Sequence, residues 1–236
     1  MKYLVGFLFC ALVPSLAMAQ DDDEAALAQD EGETAEPLSE IDKVGLTLAA
    51  GVGYGVPFGH TYKSPSTTDD MGLGSRIAGQ IPVVLSLGVR PMPYLSFGVA
   101  FQYAPLRTKN CDAGSTCSGS DTYVGIELRL HLAPDRVVCP WISVGVGYEW
   151  LGASETGAVT GDGGLRGRDY DIELGTDIRV TRSLALGPYV GVRFGNYGNS
   201  SASDYRSGDY PIPDSAQSTH GWWVLGVRGA FTISRL

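Results

Sequence analysis

Beyond its first 19 residues the chain has no run of 18 or more apolar residues. A membrane-crossing helix needs about 20, so that class of span is excluded. No stretch shows a convincing 3.6-residue apolar period, which argues against a helical domain. The 4 cysteines and 3 histidines offer no CxxC or HxxxH spacing, so no zinc-binding ligand set is evident. The glycine-rich phosphate loop and the dinucleotide fingerprint are missing, and nothing marks a nucleic-acid-binding surface. Residues 20–43 contain no aromatic residue and a single lysine. Such a segment cannot bury enough apolar surface to offset chain entropy and reads as a disordered tail.

What that tail has is acid: Asp21, Asp22, Asp23, Glu24, Asp30, Glu31, Glu33, Glu36, Glu40 and Asp42. The whole chain carries 26 acids and 17 bases, for a net charge of −9. Taking away these ten acids, Lys43 and Lys2 leaves 16 acids and 15 bases, so the charge belongs to the tail and not to the folded body. A solvated periplasmic spacer is the reading we adopt for it. Ahead of it, Lys2, the apolar run Tyr3 to Leu16 and the small-residue site Ala17-Met18-Ala19 read as a cleaved secretory signal peptide over residues 1–19. Cys10 lies inside the apolar run without a lipidation signal.

The body, residues 44–236, repeats one pattern eight times. In Tyr123 to Leu132, Val124, Ile126, Leu128, Leu130 and Leu132 share one parity, against Tyr123, Gly125, Glu127, Arg129 and His131. Side chains of a strand alternate between its faces, so this is a strand with one greasy face and one small or charged face. Val44 to Phe58, Ile81 to Arg90, Leu95 to Tyr103, Trp141 to Leu151, Tyr170 to Val180, Leu184 to Tyr197 and Trp222 to Ile233 repeat it. Each is near the 9–11 residues that a tilted strand needs to cross a bilayer. Long connections (59–80, 104–121, 152–169, 198–221) alternate with short ones (91–94, 133–140, 181–183). Long outer loops and short periplasmic turns are the pattern of an outer-membrane barrel.

Bare alternation also fits a soluble lipocalin-like barrel with the large apolar face inside and a hydrophobic ligand bound there. The minor face decides against it. It is mostly Gly, Ala, Ser and Thr, which suits the narrow interior of eight strands better than a soluble surface. Its charges also balance: Glu127, Glu149, Asp171, Glu173 and Asp177 against Arg90, Arg129, Arg179, Arg193 and Arg228, with His131 besides. Buried charges need partners, so these residues are expected to form an interior network that plugs the barrel. Tyr54, Phe58, Tyr94, Tyr103, Trp150, Tyr170 and Trp223, near strand ends, suit interfacial girdles. The prediction is an all-β, eight-stranded antiparallel up-and-down transmembrane barrel.

On this pattern the body resembles the small eight-stranded outer-membrane barrels, the family of the OmpA transmembrane domain and OmpX. The end, Phe231-Thr-Ile-Ser-Arg-Leu236, departs from the closing aromatic such barrels often carry, and the peptidoglycan-binding domain of full-length OmpA-like proteins is missing. The resemblance implies an outer-membrane monomer that meets lipid, lipopolysaccharide and the barrel-assembly machinery, with no cofactor. It implies a structural or surface-interaction role through four outer loops, and no catalysis.

Cys111 and Cys117 bracket a Gly-containing loop and are expected to form a disulfide in an oxidising compartment. Cys139, at the opposite rim, is expected to be a free or intermolecular thiol. His60 and His220 fall on loop rims and carry no assigned role. A lipid A-modifying enzyme on the same scaffold is the alternative, with Ser154 and Glu155, His60, or Ser218 with His220 as the residue types that nucleophilic chemistry requires. Loop acids Asp69, Asp70, Asp162, Asp204, Asp209 and Asp214 are read as solubilising, not as ligands of a metal.

Overall fold

The computed structural model describes residues 45–62, 72–109, 111, 114–157, 161–202 and 208–233. The signal peptide, the acidic tail, Asp69, Asp70 and Asp204 lie outside them. The elements in chain order are β1 (Gly45–Gly59), α1 (Leu73–Arg76), β2 (Ile77–Gln80), β3 (Val83–Met92), β4 (Leu95–Thr108) and β5 (Thr116–His131). They continue with β6 (Val138–Thr156), β7 (Gly161–Arg179), β8 (Leu184–Ala202), β9 (Gly208–Pro211) and β10 (Thr219–Ile233).

Eight of these strands close a ring of antiparallel neighbours. β1 pairs with β3, the order runs on through β4, β5, β6, β7 and β8 to β10, and β10 pairs back onto β1 from Leu46↔Ile233 to Gly59↔His220. Closure removes the edges of this eight-strand ring, which is what a lipid environment demands of β-structure, because it offers no hydrogen bonds to an open edge. No described helix is long and apolar enough to cross a membrane.

The two faces divide as the alternation predicts. Leu48, Val52, Leu85, Phe97, Val99, Ile126, Ile172, Leu225 and Val227 are exposed, Ile126 and Leu225 by 62% and 67%. Inward, Tyr123, Glu149, Asp169 and Trp222 are buried to 1% exposure or less. An exposed apolar band this extensive is costly in water and favourable in lipid. The lipocalin-like arrangement is therefore overturned: the large apolar set faces out, and the lumen is too narrow to hold it. Tyr54, Tyr94, Tyr103, Trp150, Tyr170 and Trp223 are exposed on the same face, and Phe58 packs on Trp223 at 6.0 Å between ring centres.

Strand extents differ from the sequence reading. β6, β7 and β8 are each 19 residues long, well beyond the 9–11 that cross lipid. Most of 104–121 and 152–169, read as loop, continues the ladder: Thr116 faces Thr156, and Glu155 faces Gly161. Outside the lipid neither face needs to be greasy, so alternation stops while backbone pairing goes on. The predicted strand Ile81 to Arg90 corresponds to β3, and the stretch 59–80 read as loop holds a further short strand, β2, parted from β3 at Ile81-Pro82. There the Ile81 and Gly53 N–H groups donate to the carbonyls of Pro105 and Pro82, and Pro82 has no N–H to continue the ladder. β2 and α1 turn into the mouth at the end of the long connections, called the outer mouth after the orientation expected from the sequence. Leu73 and Ile77 join Leu151, Tyr197 and Trp222 in an apolar cluster with Leu106, Leu165, Ile212 and Val224 at its margin.

Candidate functional site

The inward face stacks side chains in layers. The layer nearest the outer mouth is built by register. Asp169 on β7 and His220 on β10 both pair with Gly195 on the intervening β8. A Cβ at Gly195 would strike the Asp169 carboxylate and the Arg168 carbonyl, so glycine there is what lets the two side chains approach. Glu149, from β6, completes the group. His220 Nε2 lies 2.7 Å from Glu149 Oε2 and 3.5 Å from Asp169 Oδ1, with all three side chains fully buried. Trp222 Nε1–H donates to Glu149 Oε1 at 2.9 Å, and Tyr197 stacks on the imidazole at 3.6 Å between ring centres. Asp121, fully buried on β5, accepts from Gln102 Nε2 at 3.1 Å.

In the middle layer Arg193 faces Asp171 in register and lies over the Tyr123 ring at 3.8 Å. Tyr123 O–H donates to Asp171 Oδ1 at 2.7 Å. The cavity here is about 20 Å³, little more than one water occupies. Below it, Arg129 reaches Glu127 at 3.2 Å and Glu173 at 3.9 Å and covers the Trp141 ring at 4.3 Å. Arg228 Nη1 and Trp141 Nε1 both donate to Asp177 Oδ1 at 3.1 Å. At the short-turn end Arg179 donates to the Pro134 carbonyl at 2.7 Å, and Arg90 donates to the Pro93 carbonyl. His131 Nε2 contacts Ser96 Oγ at 3.2 Å.

All eleven interior charges named from parity thus stand on the inward face, but they do not pair one acid to one arginine. Glu149 turns to a histidine and a tryptophan; Arg129 serves two glutamates; Arg90 and Arg179 go to carbonyls. Three ionisable lumen residues among those described escaped the sequence reading. Asp121, Asp169 and His220 lie in stretches assigned to loops, yet each is two residues from an inward side chain (Tyr123, Asp171, Trp222). Extending the parity one step would have found them.

Cys111 and Cys117 are joined in a disulfide at the β4–β5 tip. Cys139 is free and buried, turned into the lumen with its Sγ 3.9 Å from His131 Nδ1. Of the residue types considered for lipid chemistry, Ser154 Oγ meets Ser118 Oγ at 2.7 Å, and His220 bonds to Glu149 instead of serving Ser218.

Above the charged layers the outer mouth holds a cavity of about 480 Å³, bordered by Leu73, Arg76, Leu106, Lys109, Glu155 and Leu165 among others. Solved structures share the fold of this eight-stranded ring. The chain is similar to the outer membrane protein OprG from Pseudomonas aeruginosa at a TM-score of 0.52 and 9% identity, covering 82% of this chain and 98% of that one. It is similar to a major outer membrane protein from Thermus thermophilus at a TM-score of 0.50 and 10% identity, covering 80% and 99%. The fold is that of the small outer-membrane β-barrels. No family model matches the chain, and no curated protein matches its sequence. The likeness and the outward apolar belt together support an integral outer-membrane barrel protein.

Proposed function

We propose that this barrel is a closed scaffold of the outer membrane that acts through its outer end, by contact with molecules at the cell surface. The observation that carries the reading is the contrast along the axis. The lumen leaves about 20 Å³ at its middle, which favours neither solute passage nor a transported ligand. The outer mouth opens into about 480 Å³, a volume in the range of small-molecule pockets. Its border mixes cations (Arg76, Lys109), hydroxyls (Thr61, Ser118, Ser200) and aliphatics (Leu73, Leu106, Leu165), a lining suited to an amphipathic surface molecule. The sheet itself builds this cup, because β6 and β7 pair out to Glu155↔Gly161.

Orientation is the part to test. Ser154→Cys places a thiol on the projecting sheet, and a membrane-impermeant maleimide is added to intact cells. Labelling before lysis is expected. Labelling only after lysis would put the cup in the periplasm and end the surface-contact reading.

A further inference from the structure

We propose that Glu149, Asp169 and His220 form a binding site for one divalent transition-metal cation of the zinc class, buried in the lumen beneath the outer cup.

Three strands deliver the three ligands to one point, with one donor atom from each within 4.8 Å of the others. In a tetrahedral zinc site with bonds of about 2.0 Å, neighbouring ligand atoms stand roughly 3.3 Å apart. The Nε2–Oδ1 separation of 3.5 Å already matches, and the 2.7 Å Nε2–Oε2 contact has only to open slightly.

A histidine–carboxylate ion pair accounts for the Glu149 contact and, at 3.5 Å, for one oxygen of Asp169, but not for the rest of the cluster. By hydrogen-bond geometry neither carboxylate oxygen of Asp169 nor Asp121 Oδ1 has a donor, and His220 Nδ1 has no partner, though all are buried. Asp121 stands diagonally across the β5–β6 ladder from Glu149, since it faces Leu151 in register. Glu149 and Asp169 thus flank one imidazole, and a third buried carboxylate, Asp121, stands next to Glu149. Burying a carboxylate without hydrogen-bond partners is expensive; a dication between Glu149 and Asp169 supplies the partner that the Asp169 oxygens lack.

The surroundings are those of a held ligand set. Trp222 fixes the Glu149 carboxylate through its indole N–H, Tyr197 fixes the imidazole plane, and Gln102 holds Asp121 from the far side. Such outer contacts orient metal ligands. An imidazole with two carboxylates selects zinc-class ions over calcium, which takes six to eight oxygens.

The test uses the full mature chain refolded in detergent, stripped with a chelator and titrated with Co²⁺ and then Zn²⁺. Visible absorption reports Co²⁺ coordination, and calorimetry reports stoichiometry. One ion per chain is expected, displaced by Zn²⁺. Asp169→Asn and His220→Gln should weaken binding at least tenfold, while Asp162→Asn, on the projecting part of β7, should leave it unchanged. Folding of each variant is checked by its altered migration in unboiled samples. If His220→Gln does not fold, zinc-edge absorption of the parent chain decides instead. One imidazole nitrogen with carboxylate oxygens supports the site; a sulfur ligand would move the metal to Cys139 and overturn it. Absence of stoichiometric uptake, or uptake indifferent to Asp169→Asn, would also overturn it and leave a structural ion cluster. None of these outcomes depends on what the outer cup binds.

Discussion

At the scale of single residues, the lumen shows why a buried ionic group is best tested by removing one partner at a time. Trp222 donates one N–H to Glu149 and otherwise fills space. Trp222→Phe keeps most of the packing and removes that donor. Hydrogen bonds to charged groups contribute about 1.5–3 kcal/mol, and the loss should appear at that size in reversible urea unfolding from lipid vesicles. Arg129 is a different case, because it answers two carboxylates. Arg129→Met leaves Glu127 and Glu173 facing each other without their shared cation. Breaking a buried pair from one side costs about 3–5 kcal/mol, so this variant should be the less stable of the two. A smaller loss for Arg129→Met than for Trp222→Phe would mean that water enters the lower lumen and screens those acids.

At the scale of the strand, the sequence reads lipid contact better than it reads sheet. Along β5 the alternation of Val124, Ile126, Leu128 and Leu130 against Gly125, Glu127 and Arg129 is plain, and that part of the fold was legible. The same strand runs outward through Thr116 to Ser120 with no greasy face, and the pattern vanished there although the ladder did not. His220 and Asp169 were hidden for this reason: they belong to strand ends that carry inward side chains but sit where outward residues stop being apolar. The pairing inside was hidden for another, since parity assigns a face but not a height along the axis, and height decides who meets whom. A pair of substitutions on β5 separates lipid-facing from merely strand-like positions. Ile126→Arg, at mid-strand and 62% exposed, should cost about 2–4 kcal/mol in a bilayer. Thr116→Arg, outward on the projecting end, should stay within about 0.5 kcal/mol. Equal costs in vesicle-based unfolding would mean the bilayer reaches the tip of the sheet.

At the scale of the whole molecule, the layers act as resistances in series. Trp141 with Arg129, Arg228 and Asp177 fills the lower lumen; Trp222 with Glu149, His220 and Tyr197 fills the upper one. Between them Arg193 over Tyr123 fills the middle, and current through the barrel is limited by the tightest layer, so opening one leaves the others in control. The parent chain in a planar bilayer should show no conductance steps. Trp141→Ala should show none, because the upper layer still closes the path, and Trp222→Ala should show none for the converse reason. The triple variant with Tyr123→Ala, which also opens the middle layer where Arg193 lies over that ring, should admit small ions, provided unboiled migration shows that the barrel survives. Conductance in either single variant would mean that one layer alone seals the lumen, and steps in the parent chain would mean that neither does. In that last case the charged interior would be the lining of a pore, and the role of the protein would have to be sought along its axis and not at its outer mouth.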